Sequence, residues 1–136
     1  MINKLLTTDI ALLIMRIYGG LFMLVYHGIP KLQSFSAYST RFSDPIGIGS
    51  YASLVLVIFA EVLCAAMVLI GASIRITVIP LIIVMGVAVF VIHSGDPMST
   101  KELAVSYLFC YLALFVGGAG KYNLCLNQYL RKRSQN

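Results

Sequence analysis

The chain has 136 residues, of which 60% are hydrophobic and only 11% are charged, and its formal net charge is +5. Soluble domains are roughly a quarter charged, so these few charges cannot cover a surface that faces water. The composition therefore excludes an ordinary soluble domain and indicates a single membrane domain over residues 1–136. In such a protein Lys and Arg report topology, and we expect no nucleic-acid partner.

Four apolar segments follow one another at about residues 9–29, 50–70, 74–93 and 102–119. An α-helix needs about 20 residues to cross about 30 Å of hydrocarbon. Backbone polar groups in lipid must bond to one another, which a helix achieves within itself. We therefore predict an all-α fold, a four-transmembrane-helix bundle.

Two amphipathic stretches flank these spans. Aromatic and leucine residues recur at helical spacing beside basic residues after the fourth span, at Tyr122, Leu126, Tyr129 and Leu130. This pattern predicts a short interfacial C-terminal helix. The first loop repeats the pattern at Leu32, Phe35, Tyr38 and Phe42. A lid on the membrane surface and a plain loop both fit it.

Basic residues are unequally divided between the two sides of a four-span chain. One side holds Lys4, Arg75, Lys121, Arg131, Lys132 and Arg133, and the other holds Lys31, Arg41 and Lys101. Basic residues concentrate in cytoplasmic segments. We therefore expect a multi-pass protein of the bacterial inner membrane with both termini in the cytoplasm.

Two opposite charges lie inside the predicted spans. Arg16 is in the first span and Glu61 in the second, at nearly the same depth. A lone charge at mid-membrane costs at least about 2.5–3.5 kcal/mol. We therefore predict that Arg16 pairs with Glu61, either as a catalytic pair or as a purely structural link between helices.

Further polar residues gather near the outer ends of the spans. Arg16, His27 and Lys31 share one helix face. We predict a ligand-binding cavity there, and its candidate lining residues are Arg16, Tyr26, His27, Lys31, Glu61, His93 and Glu102. His93 is the first candidate for proton transfer, because imidazole titrates near neutrality, and Glu61 is the second. The alternative is a solid apolar core with these groups reaching into the headgroups.

The three cysteines, Cys64, Cys110 and Cys125, form no paired motif and have no metal-ligand spacing. We therefore predict no metal site. Small residues such as Gly19, Gly20 and Gly86 favour close packing, either within the chain or between copies in a homo-oligomer.

Four stretches, in this order, give the chain a resemblance to a known family. They are RIYGGLFMLVYHGIPKL, FAEVLCAAMVLIGASIR, VIHSG and GGAGKYNL. Together, over residues 9–126, they resemble the DoxX family of small four-helix membrane proteins. The resemblance places the family's polar positions on Arg16, Lys31, Glu61 and His93, and its closing glycines on Gly118 and Gly120. Ala119 departs from the proline that the family often has there.

The resemblance implies a membrane subunit related to thiosulfate:quinone oxidoreductase, or a member of an oxidative-stress complex. We therefore expect a membrane subunit or accessory protein of a redox system that binds a quinone or similar lipophilic ligand and works with a redox partner protein. The residues leave open whether the chain is itself an oxidoreductase. The alternatives are a non-catalytic scaffold or assembly factor and a small-molecule carrier. A haem anchor is a further alternative, because His27 and His93 lie at the same depth on two predicted helices.

Overall fold

The computed structural model describes residues 4–124, and within them all regular structure is helical. Four helices in this part of the chain are long and apolar enough to cross a membrane. We call them spans 1 to 4, at Thr7–Gln33, Ser50–Ile70, Ile74–Ile92 and Met98–Gly117. This confirms the predicted all-α, four-span fold. The predicted interfacial helix lies, from residue 125 onward, outside the described residues.

The first three spans change between α-helical and π-helical hydrogen bonding. The α-helical segments are Lys4–Arg16, Ile29–Gln33, Phe35–Tyr38, Ser50–Ile58, Ala65–Ile70, Ile74–Val87 and Met98–Gly117. The π-helical segments are Ile17–Phe22, Leu24–Gly28, Phe59–Cys64 and Ala88–Ile92. His27 lies in the π-helical segment Leu24–Gly28 and Glu61 in Phe59–Cys64. His93 follows directly after the segment Ala88–Ile92. Such wide turns are frequent at functional sites.

The span boundaries differ from the predicted ones by up to about a turn. Span 1 continues past Pro30 to Gln33, because Pro30 opens a new α-helical segment, where its missing N–H is tolerated. Span 4 begins at Met98, directly after the extended Pro97, and ends at Gly117. It ends there because Gly118 has a φ of 77°, a conformation that cannot continue a right-handed helix.

The spans form an antiparallel bundle in which span 1 packs against spans 2 and 4, and span 3 also packs against both. The core is apolar and includes Met23, Val68, Leu81, Tyr111 and Leu114. Large exposed hydrophobic side chains, such as Ile76 and Phe90, cover the outside. An apolar exterior is what a helix bundle presents to lipid. We call the end with residues 71–73 and 118–124 the terminal end, and the opposite end, with residues 34–49 and 93–97, the loop end.

Two glycines bring span 1 close to span 2. A Cβ atom on Gly20 would lie 2.7 Å from the Leu69 nitrogen, and one on Gly28 would lie 2.5 Å from the Glu61 carbonyl oxygen. Gly20 therefore packs within the chain, as does Gly19, which faces Tyr111. Gly86 has no neighbour within 4 Å of such an atom among the described residues.

Candidate ligand cavity

A cavity of about 410 Å³ opens among the spans toward the loop end. Its walls are largely apolar and include Met23, Leu56, Val57, Val84 and Ala88. Phe42, Pro45 and Ile46 of the first loop also line it. The first loop therefore forms part of the cavity wall. This position fits the lid better than the plain loop, the two alternatives that the sequence left open.

Charged and titratable side chains reach this wall from spans 1, 2 and 4 and from the end of span 3. The lining residues that carry charge or a titratable ring are His27, Lys31, Glu61, His93, Lys101 and Tyr107. Four of them, His27, Lys31, Glu61 and His93, belong to the predicted set. Small-molecule sites are typically apolar cavities of this kind, in which a few polar side chains fix the orientation of the ligand.

Glu61 is paired with Lys31, not with Arg16. The Lys31 Nζ donates to Glu61 Oε2 at 2.5 Å. The Glu61 side chain is 3% exposed and that of Lys31 is 23% exposed. Helical side chains lean toward the N-terminus of their helix, so Lys31, near the end of span 1, extends back into the bundle and reaches Glu61.

The prediction that Arg16 pairs with Glu61 is wrong. The Arg16 guanidinium donates to four backbone carbonyls, those of Val68, Leu69, Ala119 and Tyr122. These carbonyls lie in the last turn of span 2 and in the segment after span 4. Helix C-termini carry unsatisfied carbonyls and a partial negative charge, which a guanidinium matches with its five donors. Arg16 leans toward the terminal end, away from Glu61.

Three predicted ligand-binding residues, Arg16, Tyr26 and Glu102, do not line the cavity. Arg16 lies at the terminal end, for the reason just given. Tyr26 is 67% exposed and packs beside Phe22 on the outside of span 1. Glu102 is exposed, whereas its neighbour Lys101 lines the cavity. Adjacent helical residues point about 100° apart, so only one of them faces inward.

The two histidines have different surroundings. His27 lies edge-on to Tyr107, with 5.6 Å between ring centroids. Tyr107 in turn stacks on Tyr18, with ring centroids 4.9 Å apart. His93 Nδ1 lies 2.7 Å from Asp96 Oδ2, and both side chains are partly exposed. A carboxylate on one ring nitrogen orients an imidazole, so Asp96 aligns His93 at the rim of the cavity.

Sequence reasoning missed several residues of this site. Tyr107 is a mid-span aromatic residue, and nothing in the sequence distinguishes it from a core residue. Lys101 was considered only as one of the basic residues that report topology. Asp44 holds the first loop in place, although it does not itself line the cavity. It accepts from the Ile48 and Gly49 N–H groups and from Ser53 Oγ. The spacing of Asp44 ahead of the glycines was the available signal, because Asp commonly bonds to nearby backbone in turns.

The hydrogen bonds to Asp44 also change its acidity. The Gly49 N–H is the largest contributor, and together with Ser53 and Ile48 it lowers the pKa of the Asp44 carboxyl below its ordinary value. The carboxylate form is therefore the form that fastens the loop to the start of span 2.

The bundle and its cavity define a multi-pass membrane protein whose largely apolar cavity carries a few charged side chains. The DoxX family profile matches residues 11–94, more than half of the chain. The chain belongs to the DoxX family, as its motifs predicted. The matched residues include Arg16, Lys31, Glu61 and His93, whereas Gly118 and Gly120 lie outside the match. Comparisons with curated proteins and with solved structures give no significant match.

Proposed function

We propose that this protein is a membrane subunit or accessory protein of a redox system and that its cavity binds a quinone or a similar lipophilic ligand. The observation that carries the proposal is the Lys31–Glu61 ion pair on the wall of a largely apolar cavity. Membership of the DoxX family supports the redox setting, since the family is often associated with redox and quinone-related systems.

The residues fit a quinone in both size and chemistry. The volume of about 410 Å³ falls within the range of roughly 300–1,000 Å³ that small-molecule sites occupy. Apolar residues such as Leu56 and Val84 suit a ring or an isoprenoid tail. Lys31 and Lys101 offer N–H donors suited to carbonyl oxygens. A quinone supplies reversible uptake of two electrons and two protons when it is bound.

The residues of this chain would bind the ligand and move protons. Lys31 Nζ donates to a ligand oxygen while Glu61 Oε2 balances its charge. His93, oriented by Asp96, exchanges protons between the cavity rim and the solvent, with Glu61 as the inner acceptor. The proposed roles of these side chains are binding and proton transfer. A redox partner protein is therefore proposed to supply the electrons that reduce the bound ligand.

The setting of this activity is the bacterial inner membrane, with both termini in the cytoplasm and the cavity open toward the periplasmic side. The unequal division of Lys and Arg supports this orientation. Gly86, whose Cβ position is open, is the point at which a second copy of the chain would pack in a homo-oligomer.

The experiment is a titration of the purified protein, in zwitterionic lipid nanodiscs, with a decyl-substituted benzoquinone. We expect saturable binding whose affinity falls about tenfold or more in Lys31→Ala and His93→Ala. The reason is that each variant removes a side chain that would form a hydrogen bond with the ligand or exchange a proton with it. Tyr26→Phe and Glu102→Gln are matched controls outside the cavity and should bind like the wild type. Absence of binding, or binding indifferent to Lys31 and His93, would favour the scaffold alternative.

A further inference from the structure

The charges on the cavity wall do not balance. Its described lining residues include two lysines, Lys31 and Lys101, but a single acidic side chain, Glu61. Glu61 forms an ion pair with Lys31, with 2.5 Å between Lys31 Nζ and Glu61 Oε2. Within residues 4–124 no carboxylate lies within 4.0 Å of the Lys101 Nζ, whose hydrogen bond goes to the His93 carbonyl at 3.2 Å. Lys101 is therefore a cation on the wall without an acidic partner.

The other acidic side chains at the loop end are engaged elsewhere or point away. Asp96 pairs with the His93 ring, and Asp44 accepts from the first-loop backbone and Ser53. Glu102 is exposed, and none of these three acids lines the cavity. Among the described residues the Lys101 ammonium donates to one acceptor, so two of its three N–H donors remain for a ligand.

We infer that, among lipophilic ligands of one chain length, the cavity prefers an anionic amphiphile to a neutral one, with a single apolar chain or ring inside and a carboxylate or phosphate head on Lys101. This rests on the proposed function, because it specifies the ligand class of the same cavity. A cation at the rim of a low-dielectric cavity attracts negative charge, and a charge-assisted hydrogen bond holds it. The volume of about 410 Å³ favours a single-chain ligand over a complete two-chain phospholipid.

The test compares three probes with the same chain, namely decanoate, decyl phosphate and decanol. Equilibrium dialysis against protein in zwitterionic nanodiscs, with empty nanodiscs subtracted, measures each affinity. We expect at least one anion to bind about tenfold more tightly than decanol, as a charge-assisted contact allows. The preference between decanoate and decyl phosphate shows whether the head group of the single-chain ligand is a carboxylate or a phosphate.

The variants decide whether Lys101 is responsible. Lys101→Gln should reduce the preference for the anions to less than about twofold, and Lys101→Arg should retain most of it. Arg41→Gln is the matched control, because Arg41 is an exposed first-loop cation that bonds to the Ala37 carbonyl and does not line the cavity. Equal affinity for decanol and both anions, or a preference that survives Lys101→Gln, would overturn the inference.

The outcome separates this inference from the proposed function. If the decyl quinone binds but the anions show no advantage over decanol, only the charge selectivity fails. If the quinone and all three amphiphiles fail to bind while the protein remains folded, the cavity is not a ligand site, and both proposals fail.

Discussion

Lys31 and Arg16 show how a half-buried and a fully buried cation on one helix are stabilised by different chemistry. The lysine ammonium is a compact point charge that pairs with a carboxylate, Glu61. The arginine guanidinium is a planar fork, and it satisfies four carbonyls from two segments at once. Each arrangement offsets the large cost of burying a charge without a partner.

A double-mutant cycle tests this division of roles. Lys31→Met leaves the Glu61 charge buried and unpaired, which should destabilise the protein by about 3 kcal/mol, the lower end of the range for buried pairs. The double variant Lys31→Met/Glu61→Leu should recover most of that loss. Thermal and denaturant unfolding in mild detergent would measure these changes.

Arg16 supplies the control for the same cycle. Arg16→Leu should destabilise the protein because buried carbonyls lose their donor, and adding Glu61→Leu should not rescue it. Strong coupling between Arg16 and Glu61, with none between Lys31 and Glu61, would contradict the pairing described above.

At the scale of the helices, the contact between spans 1 and 2 places the ion pair. Gly28 lies against the Glu61 carbonyl and sits at the end of the π-helical segment Leu24–Gly28, and Glu61 lies within the π-helical segment Phe59–Cys64. Close packing at this level keeps Lys31, only three residues beyond Gly28, within reach of the carboxylate.

Adding a methyl group at Gly28 tests this contact. The Cβ of Gly28→Ala would meet backbone at 2.5 Å, so the helices must move apart, at a cost of about 1–3 kcal/mol. In the monomeric protein, Gly86→Ala is the matched control, because it has open space within the chain and removes a flexible glycine from a helix, which should be neutral or stabilising by roughly 0.5–1 kcal/mol. Equal stability of the two variants would show that the spans are not closely packed at Gly28.

The first loop is an element whose closure should depend on pH. The folded pKa of Asp44 is lowered, so its stabilising contribution is fully present above the unfolded pKa of about 4 and is lost as the pH falls through the lower folded value. Hydrogen exchange at the Ile48 and Gly49 amides should therefore show reduced protection, relative to a model peptide, only below about pH 4. In Asp44→Asn that pH-dependent step should vanish, and a step of unchanged size would exclude Asp44 as its cause.

At the scale of the whole molecule, the two ends of the bundle are built differently. The terminal end is fastened by Arg16 and by Asp9, whose Oδ1 accepts from the Lys121 N–H at 3.0 Å. The loop end holds the cavity, and the first loop closes over part of it. Ligand exchange is therefore expected at the loop end, while the terminal end keeps the helices in register.

The proposed orientation of the whole molecule is open to a direct test. Reporter fusions after Asn136 should be active only with a cytoplasmic reporter, and insertions in the loop at residues 94–97 only with a periplasmic one. The reason is that, in a four-span chain, six of the basic residues outside the spans fall on the side of the termini and three on the other side. The opposite activity pattern would reverse the proposed orientation and turn the cavity toward the cytoplasm.

The sequence by itself determined the four spans, because long apolar segments have no other stable state in lipid than a helix. It also placed His27, Lys31 and His93 near the outer ends of the spans and Glu61 deeper, at the depth of Arg16, since residue count along a helix measures depth. Its motifs indicated the DoxX family, which the family profile confirms.

Only the tertiary structure decided the partners of the charges. Depth counted along the backbone ignores the length and lean of Arg and Lys side chains, which carry the charge several residues toward the N-terminus of their helix. That lean takes Arg16 to the carbonyls of Val68 and Leu69 and brings Lys31 to Glu61. Nor could the sequence reveal Tyr107 and Lys101 as cavity residues, because which helix face turns inward depends on how the spans pack.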